Sequence, residues 1–438
     1  MTTQTTKRTK QQANVEPVVR LTKIDIDGYR SCLNSLFKPH LELSALIGIN
    51  GAGKTNLLSA IRLLSLQANR YGRTSTETKV SNETIITAWF IVGERNIGLK
   101  LEIGLTESNR NTDEVIRIAE TWDLFEITGD KGWKKMPPLA LFLGQGEVRL
   151  KFEQEVLFHA SRIKENPSIS RRYLDQLDFD PVLLESTEVI DTLKAVSKFR
   201  SGIAYYSASQ FTDPTRCPSS FEIDEDSRLS EAYGVSKVHL KFIHDLYALK
   251  AGNSNLYAEY EKFISRHHLG LVSRITWKAI VLSSNTADVK SGGNIKKIRK
   301  TKTLVIPKIQ IGSSYITFNQ LSEGTFKTLA LVFYVMTDAS RCLLIEEPEV
   351  CVHHGLLSRI IDTIKAYSKY KQVIFSTHSD LLLDSLQPDN IHVVEMLKGG
   401  TKVTNLESWV GVRGRSALHT YLEESGTLGE YWRSGGLS

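Results

Sequence analysis

Cysteine is scarce in this chain of 438 residues: there are four, Cys32, Cys217, Cys342 and Cys351. No two of them form a Cys-x-x-Cys pair, which argues against a disulfide framework and against a zinc site of the usual spacing. Long apolar runs are missing too. The longest, Leu329 to Met336, has eight residues, far short of a membrane span. The first sixteen residues are polar and lack the apolar core of a secretion signal, so a cytoplasmic location with no membrane contact is expected. No heptad persists for more than a few turns, which argues against a long coiled coil. What the chain does have is ordinary for a globular protein, with 41% apolar and 24% charged residues. The net charge of +6 is concentrated in one place. Lys290, Lys296, Lys297, Arg299, Lys300 and Lys302 fall within thirteen residues that contain no acid. Such a run reads as a solvated hairpin tip or as a nucleic-acid contact.

The most informative stretch is Gly48 to Asn56, GINGAGKTN. It fits Gly-x-x-x-x-Gly-Lys-[Ser/Thr], follows the apolar run Ala45-Leu46-Ile47 and leads into a helical pattern from Leu57. Glycine is needed where backbone must wrap a phosphate. The loop amides and the positive end of the following helix then bind the anion. Gly48, Asn50, Gly51, Ala52, Gly53, Lys54, Thr55 and Asn56 are the candidate nucleotide-binding residues. Lys54 would reach the β- and γ-phosphates and Thr55 would hold Mg²⁺.

Residues 1–17 read as a disordered tail. Strands are expected from Val18 and over Leu41 to Ile47, then over Thr84 to Val92, Ile97 to Leu105 and Thr121 to Thr128 as an antiparallel addition. Helices are expected over Glu153 to Lys164, Ser168 to Leu177, Pro181 to Phe199, Val235 to Leu249 and Asn255 to His268. Thr212 to Ser227 reads as a loop. Val272 to Leu282 and Thr303 to Ile311 are strand-like and flank the basic run. Farther on, Cys342-Leu343-Leu344-Ile345 and Gln372-Val373-Ile374-Phe375 are fully apolar, as strands of a buried parallel sheet are. The first ends in Glu346-Glu347-Pro348-Glu349 and the second in Ser376-Thr377-His378-Ser379. Alternating strands and helices make the fold α/β. Acids at a buried strand end are costly without a nearby positive charge, and a Mg²⁺ nucleotide supplies one. Glu346 is therefore the candidate metal residue, Glu347 the base for an attacking water, and His378 a contact to the γ-phosphate.

Leu321-Ser322-Glu323-Gly324, the acidic strand end, His353 and the Ser-Thr-His-Ser turn, placed after the phosphate loop, resemble an ABC-type ATPase. The resemblance is to the soluble SMC-like branch, and within it to the OLD-like ATPases of bacterial phage-defence systems, here without a Toprim nuclease domain. It implies a P-loop core with a mixed central sheet and antiparallel β addition, plus a mainly helical insertion lobe. It further implies ATP and Mg²⁺ as cofactors, Ser322 and Gly324 acting on the nucleotide of a second protomer in a head-to-tail homodimer, and Arg30 either beside the nucleotide or on open surface. The corresponding divisions are a core half over 18–145, an insertion over 146–270, a second core half over 271–410 and a helical tail over 411–438. Gln145, in Gly144-Gln145-Gly146, is a candidate for the Q-loop glutamine of such ATPases. The function the resemblance implies is a hydrolytic switch that senses phage and controls a partner effector, a toxin or a nuclease. The alternative is a DNA-repair or chromosome-handling ATPase.

Overall fold

The computed structural model describes residues 18–65, 83–93, 95–107, 114–127, 133–135, 140–144, 147–152, 155–158, 187–224, 236–266, 268–289, 295–337, 340–350, 352–424 and 426–433. The chain divides into two compact units, residues 1–28 with 64–201, and residues 29–63 with 202–438.

The first unit is an antiparallel meander. Val19–Asp27 pairs with Glu83–Val92, which pairs with Arg95–Glu107, then Glu114–Ile127 and finally Trp133–Lys135. In Glu83–Val92, Thr84, Ile86, Ala88, Phe90 and Val92 are buried while their neighbours are not. That is the period-two alternation of a sheet with one covered face. The cover is the helix Thr187–Ser201, which packs on Val19–Asp27 and Glu83–Val92. Phe199 meets Phe90 edge to face at 5.6 Å, and the buried Arg200 donates from Nε to the Leu64 carbonyl at 2.8 Å. Ala140–Gly144, Glu147–Phe152 and Glu155–Phe158 form a separate three-stranded sheet.

That small sheet corrects the helix expected over Glu153 to Lys164. Glu155-Val156-Leu157-Phe158 pairs with Phe152 to Arg149 in the preceding strand. A short apolar run cannot be assigned to helix or strand from its own period; the pairing partner decides. Ser168 to Leu177 lies outside the described residues.

The second unit is built on a six-stranded sheet in the order Ile203–Ser207, Cys342–Glu346, Gln372–Ser376, Leu43–Ile47, Ile391–Leu397 and Gly400–Asn405. The first five run parallel and the last is antiparallel. Leu43–Ile47 and Gln372–Ser376 are buried at every position, as strands covered on both faces must be. The register aligns Ser207, Glu346, Ser376 and Leu46 in one row near the carboxyl ends.

Helices Lys237–Gly252, Ser254–Ile264 and Glu323–Thr337 enclose an aromatic core. Phe242 lies within 6.1 Å, ring to ring, of Phe211, Phe318, Phe326 and Phe333. Two buried phenols anchor Glu323–Thr337: Tyr206 donates to the Lys327 carbonyl and Tyr260 to the Leu329 carbonyl, each at 3.0 Å.

A second, antiparallel sheet of this unit places the basic run at the outer end of a long hairpin. Arg274–Val289 and Ile295–Ile311 pair along their length, from Arg274 with Gln310 to Val289 with Ile295. Lys296, Lys297, Arg299, Lys300 and Lys302 therefore stand within a strand. The expected loop over Thr212 to Ser227 contains a third strand, Phe221–Asp224, which pairs with Lys302 to Val305.

Candidate active site

The phosphate loop lies between the buried strand Leu43–Ile47 and the helix Lys54–Leu63. Gly48, Gly51 and Gly53 have φ of +151°, +82° and +104°, a region that side chains other than glycine's rarely enter. Two of these glycines are also needed for space. A Cβ on Gly48 would stand 2.2 Å from the Val394 carbonyl oxygen, and one on Gly53 would stand 2.0 Å from Thr401 Oγ1. Lys54 is 6% exposed and curls back over the loop, donating from Nζ to the carbonyls of Gly48 at 2.8 Å and Ile49 at 3.1 Å. Asn50 and Gly51 are exposed and Ala52 is buried.

A chain of side-chain hydrogen bonds supports the loop from one flank. Arg30 Nη1 donates to Asn56 Oδ1 at 3.3 Å, and Asn56 Nδ2 donates to Ser31 Oγ at 2.7 Å. Ser31 Oγ and Thr401 Oγ1 are 2.8 Å apart, and Thr401 Oγ1 donates to the Ala52 carbonyl at 3.3 Å. Arg30 is exposed, has φ of +52° and stacks on Tyr29. It is thus both surface and a neighbour of the loop helix.

The acidic strand end faces the loop. Glu346 takes a hydrogen bond on each carboxylate oxygen, from the Thr55 hydroxyl on Oε1 and from the Tyr205 hydroxyl at 2.6 Å on Oε2. Glu347 has φ of +46° and donates its N–H to the Ser376 carbonyl at 3.1 Å. Holding a residue with a Cβ in this region costs on the order of 1–3 kcal/mol, and the bond to the adjacent strand end keeps it there. Glu347 Oε1 stands 3.7 Å from His378 Nε2. Glu349 Oε1 accepts the His378 N–H at 2.6 Å and so ties the acidic turn to the histidine turn.

Charge and burial explain the titration of these groups. Burial lowers the pKa of Lys54, and the carboxylates of Glu347 and Glu349 oppose that shift. Burial, then the Lys54 charge, lowers that of His378 against the pull of Glu347, which favours the neutral ring. Burial raises the pKa of the Glu349 carboxyl. The phenol of Tyr205 is pushed well above its ordinary range by burial and by Glu346.

Thr55 and Glu346 offer hydroxyl and carboxylate oxygens, the donor chemistry of a hard divalent cation. Among the described residues, no group of three or more His, Cys, Asp or Glu could hold a metal by itself. A two-residue oxygen corner beside a phosphate loop suits Mg²⁺, which keeps waters and shares its shell with substrate phosphates.

Lys54, Thr55, Glu346, Glu347 and His378 are thus gathered at the carboxyl ends of three neighbouring strands, where ligands of open α/β sheets collect. Ser322 and Gly324 lie elsewhere in the hydrogen-bonding scheme, at the start of Glu323–Thr337. Exposed Ser322 pairs through Oγ with Thr325 Oγ1 at 2.8 Å, and the Gly324 carbonyl accepts from Thr328 Oγ1 at 2.7 Å. His353 caps the helix His354–Ser368, its Nδ1 accepting the Gly355 N–H at 3.1 Å. Gln145 lies outside the described residues. Sequence reasoning missed Tyr205, Thr401 and the bridging role of Glu349. Only the register of the strand Ile203–Ser207 places Tyr205 beside Glu346.

Residues 213–384 match the family described as "AAA domain, putative AbiEii toxin, Type IV TA system". The match includes Ser322, the acidic strand end and His378, and the phosphate loop lies outside it. No curated protein sequence matches the chain. The SMC head domain from Thermotoga maritima is 13% identical, covering 89% of this chain and 99% of that one, with a TM-score of 0.39. A SmcHead bound to the C-winged helix domain of ScpA is 11% identical, with 89% and 99% covered and a TM-score of 0.41. A Smc head domain with an extended coiled coil, bound to the C-terminal domain of ScpA derived from Pyrococcus furiosus, is 14% identical, with 90% and 98% covered and a TM-score of 0.38.

The sheet and the phosphate loop define a mixed α/β fold of the P-loop kind, and residues 213–384 are similar to an AAA domain. Among the described residues, no helix is long and apolar enough to cross a membrane.

Proposed function

We propose that this chain is an ATP-hydrolysing molecular switch that works in the cytoplasm as the regulatory ATPase of a phage-defence system, controlling a toxin or nuclease partner. The observation that carries the hydrolytic part is the convergence of Lys54, the Thr55–Glu346 pair, Glu347 and His378 around one loop. The family description, with its toxin and type IV system, supports the defence setting.

In this reading the loop amides and Lys54 hold the β- and γ-phosphates, and Thr55 with Glu346 holds Mg²⁺. The metal supplies charge neutralisation on the phosphate oxygens. Glu347 takes a proton from water as its oxygen bonds to the γ-phosphorus. The bond from that phosphorus to the bridging oxygen breaks, leaving ADP and phosphate. His378 contacts the γ-phosphate as a neutral donor. Ser322 and Gly324 act on the nucleotide of a second copy, so the working unit is a head-to-tail homodimer or a larger assembly. The exposure of Ser322 at a helix start supports that use.

Glu347→Gln tests the assignment. Turnover should fall by roughly 10²–10⁴-fold, the usual contribution of a positioned base. ATP binding should persist, and ATP-bound dimers should accumulate in sedimentation experiments. Hydrolysis at the wild-type rate would refute the role of Glu347.

A second reading, DNA repair or chromosome handling, rests on the basic hairpin. From Ser283–Thr301 to Val289–Ile295 its pairs have no third strand among the described residues. This two-stranded ribbon, roughly 23 Å long at the usual rise, carries Lys296, Lys297, Arg299 and Lys300. A ribbon of that kind fits a major groove.

A further inference from the structure

We propose that Tyr205 is a positioning residue that fixes the Glu346 carboxylate at the metal-binding corner of the phosphate loop. The inference rests on the ATPase reading above and adds a residue to it.

Tyr205 lies on the edge strand Ile203–Ser207, opposite Leu344, two positions before the row that aligns Ser207 with Glu346. From there its hydroxyl donates to Glu346 Oε2 at 2.6 Å. The ring is flanked by the loop helix, with the Arg62 guanidinium carbon 5.4 Å from its centroid. Glu346 is one methylene longer than aspartate, and that extra torsion must be restrained if the carboxylate is to stay in one place. Thr55 secures one oxygen and Tyr205 the other, so the group is fixed at two points contributed by different elements. Because Thr55 donates its proton to Glu346, the lone pairs of its hydroxyl remain free for a cation. Groups that orient a metal's ligands in this way are needed almost as much as the ligands.

The experiment compares wild type, Tyr205→Phe, Glu346→Asp and the double variant. Mn²⁺ binding is read by electron paramagnetic resonance in the presence of a non-hydrolysable ATP analogue, and analogue affinity is measured separately in EDTA. Tyr205→Phe should weaken Mn²⁺ binding about 10-fold and leave analogue affinity in EDTA unchanged. Glu346→Asp withdraws the carboxylate from an intact Tyr205 and should give a similar loss, so the test survives if the phenylalanine variant fails to fold. The double variant should bind no worse than Glu346→Asp. Mn²⁺ binding by Tyr205→Phe at the wild-type level would overturn the proposal, as would losses that multiply in the double variant. Wild-type protein that binds the analogue and takes up no Mn²⁺ would instead overturn the metal assignment of Thr55 and Glu346, and the proposal with it.

Discussion

Replacing Gly53 by alanine tests the phosphate loop as a steric structure as well as a ligand site. At φ of +104° a residue with a Cβ carries about 1–3 kcal/mol of backbone strain. The added carbon also meets Thr401 Oγ1 at 2.0 Å, Thr401 Cγ2 at 2.9 Å and Ser31 Oγ at 3.0 Å. Thr401 cannot simply swing aside, because it is bonded to Ser31 and to the Ala52 carbonyl. Crowding of this kind adds about 1–3 kcal/mol, so the total is about 2–6 kcal/mol, a large share of ordinary domain stability. Gly51 is the internal control. Its φ is +82° and an added Cβ meets nothing within 4 Å, leaving only the left-handed cost of about 1–2 kcal/mol. Urea denaturation should therefore rank Gly53→Ala well below Gly51→Ala, with ATP-analogue affinity reduced in the same order. Combining Gly53→Ala with Thr401→Ala should cost about 1–3 kcal/mol less than the sum of the two single changes, because the collision is removed once. Equal effects at the two glycines, or strict additivity with Thr401→Ala, would refute the packing argument.

His392 is 3% exposed, and burial lowers its pKa to about 4 from an ordinary 6.5. The unfolded chain therefore takes the proton first, and the stability tied to the neutral ring is present above pH 6.5 and is lost as pH falls toward 4. By pH 5 the loss is about 2 kcal/mol at 1.36 kcal/mol per unit. His392→Gln should lose that much less stability than wild type between pH 7 and pH 5 in urea titrations, and an identical pH dependence would contradict it. Charge reversal at Lys296, Lys297 and Lys300 should leave ATP turnover intact. If the ribbon binds duplex DNA, the affinity and its salt slope should both fall; unchanged binding would remove the second reading.

How much the sequence revealed depended on how local each determinant is. The phosphate loop was legible to the residue, because its glycines, Lys54 and Thr55 are contiguous and its flanking strand and helix have distinct periods. The strands ending at Glu346 and Ser376 were legible because burial on both faces leaves a solid apolar run. Val156-Leu157-Phe158 failed because three apolar residues have no period of their own, and pairing with the strand before them settled the matter. The hairpin carrying the basic run was legible in outline, but its strands extend well beyond the apolar residues that advertised them. Tyr205, Thr401 and Glu349 belong to a third kind. Tyr205 lies 141 positions from Glu346 and Thr401 lies 370 from Ser31, so nothing near them in sequence announces a partner. Each holds a residue the motifs had already marked. Tyr205 fixes the carboxylate, Thr401 braces the loop and Glu349 ties the acidic turn to His378. Motif residues carry the chemistry and are constrained by type. Their supports need only reach the right atom, which any of several side chains on several strands could do, and only the folded register shows which one does.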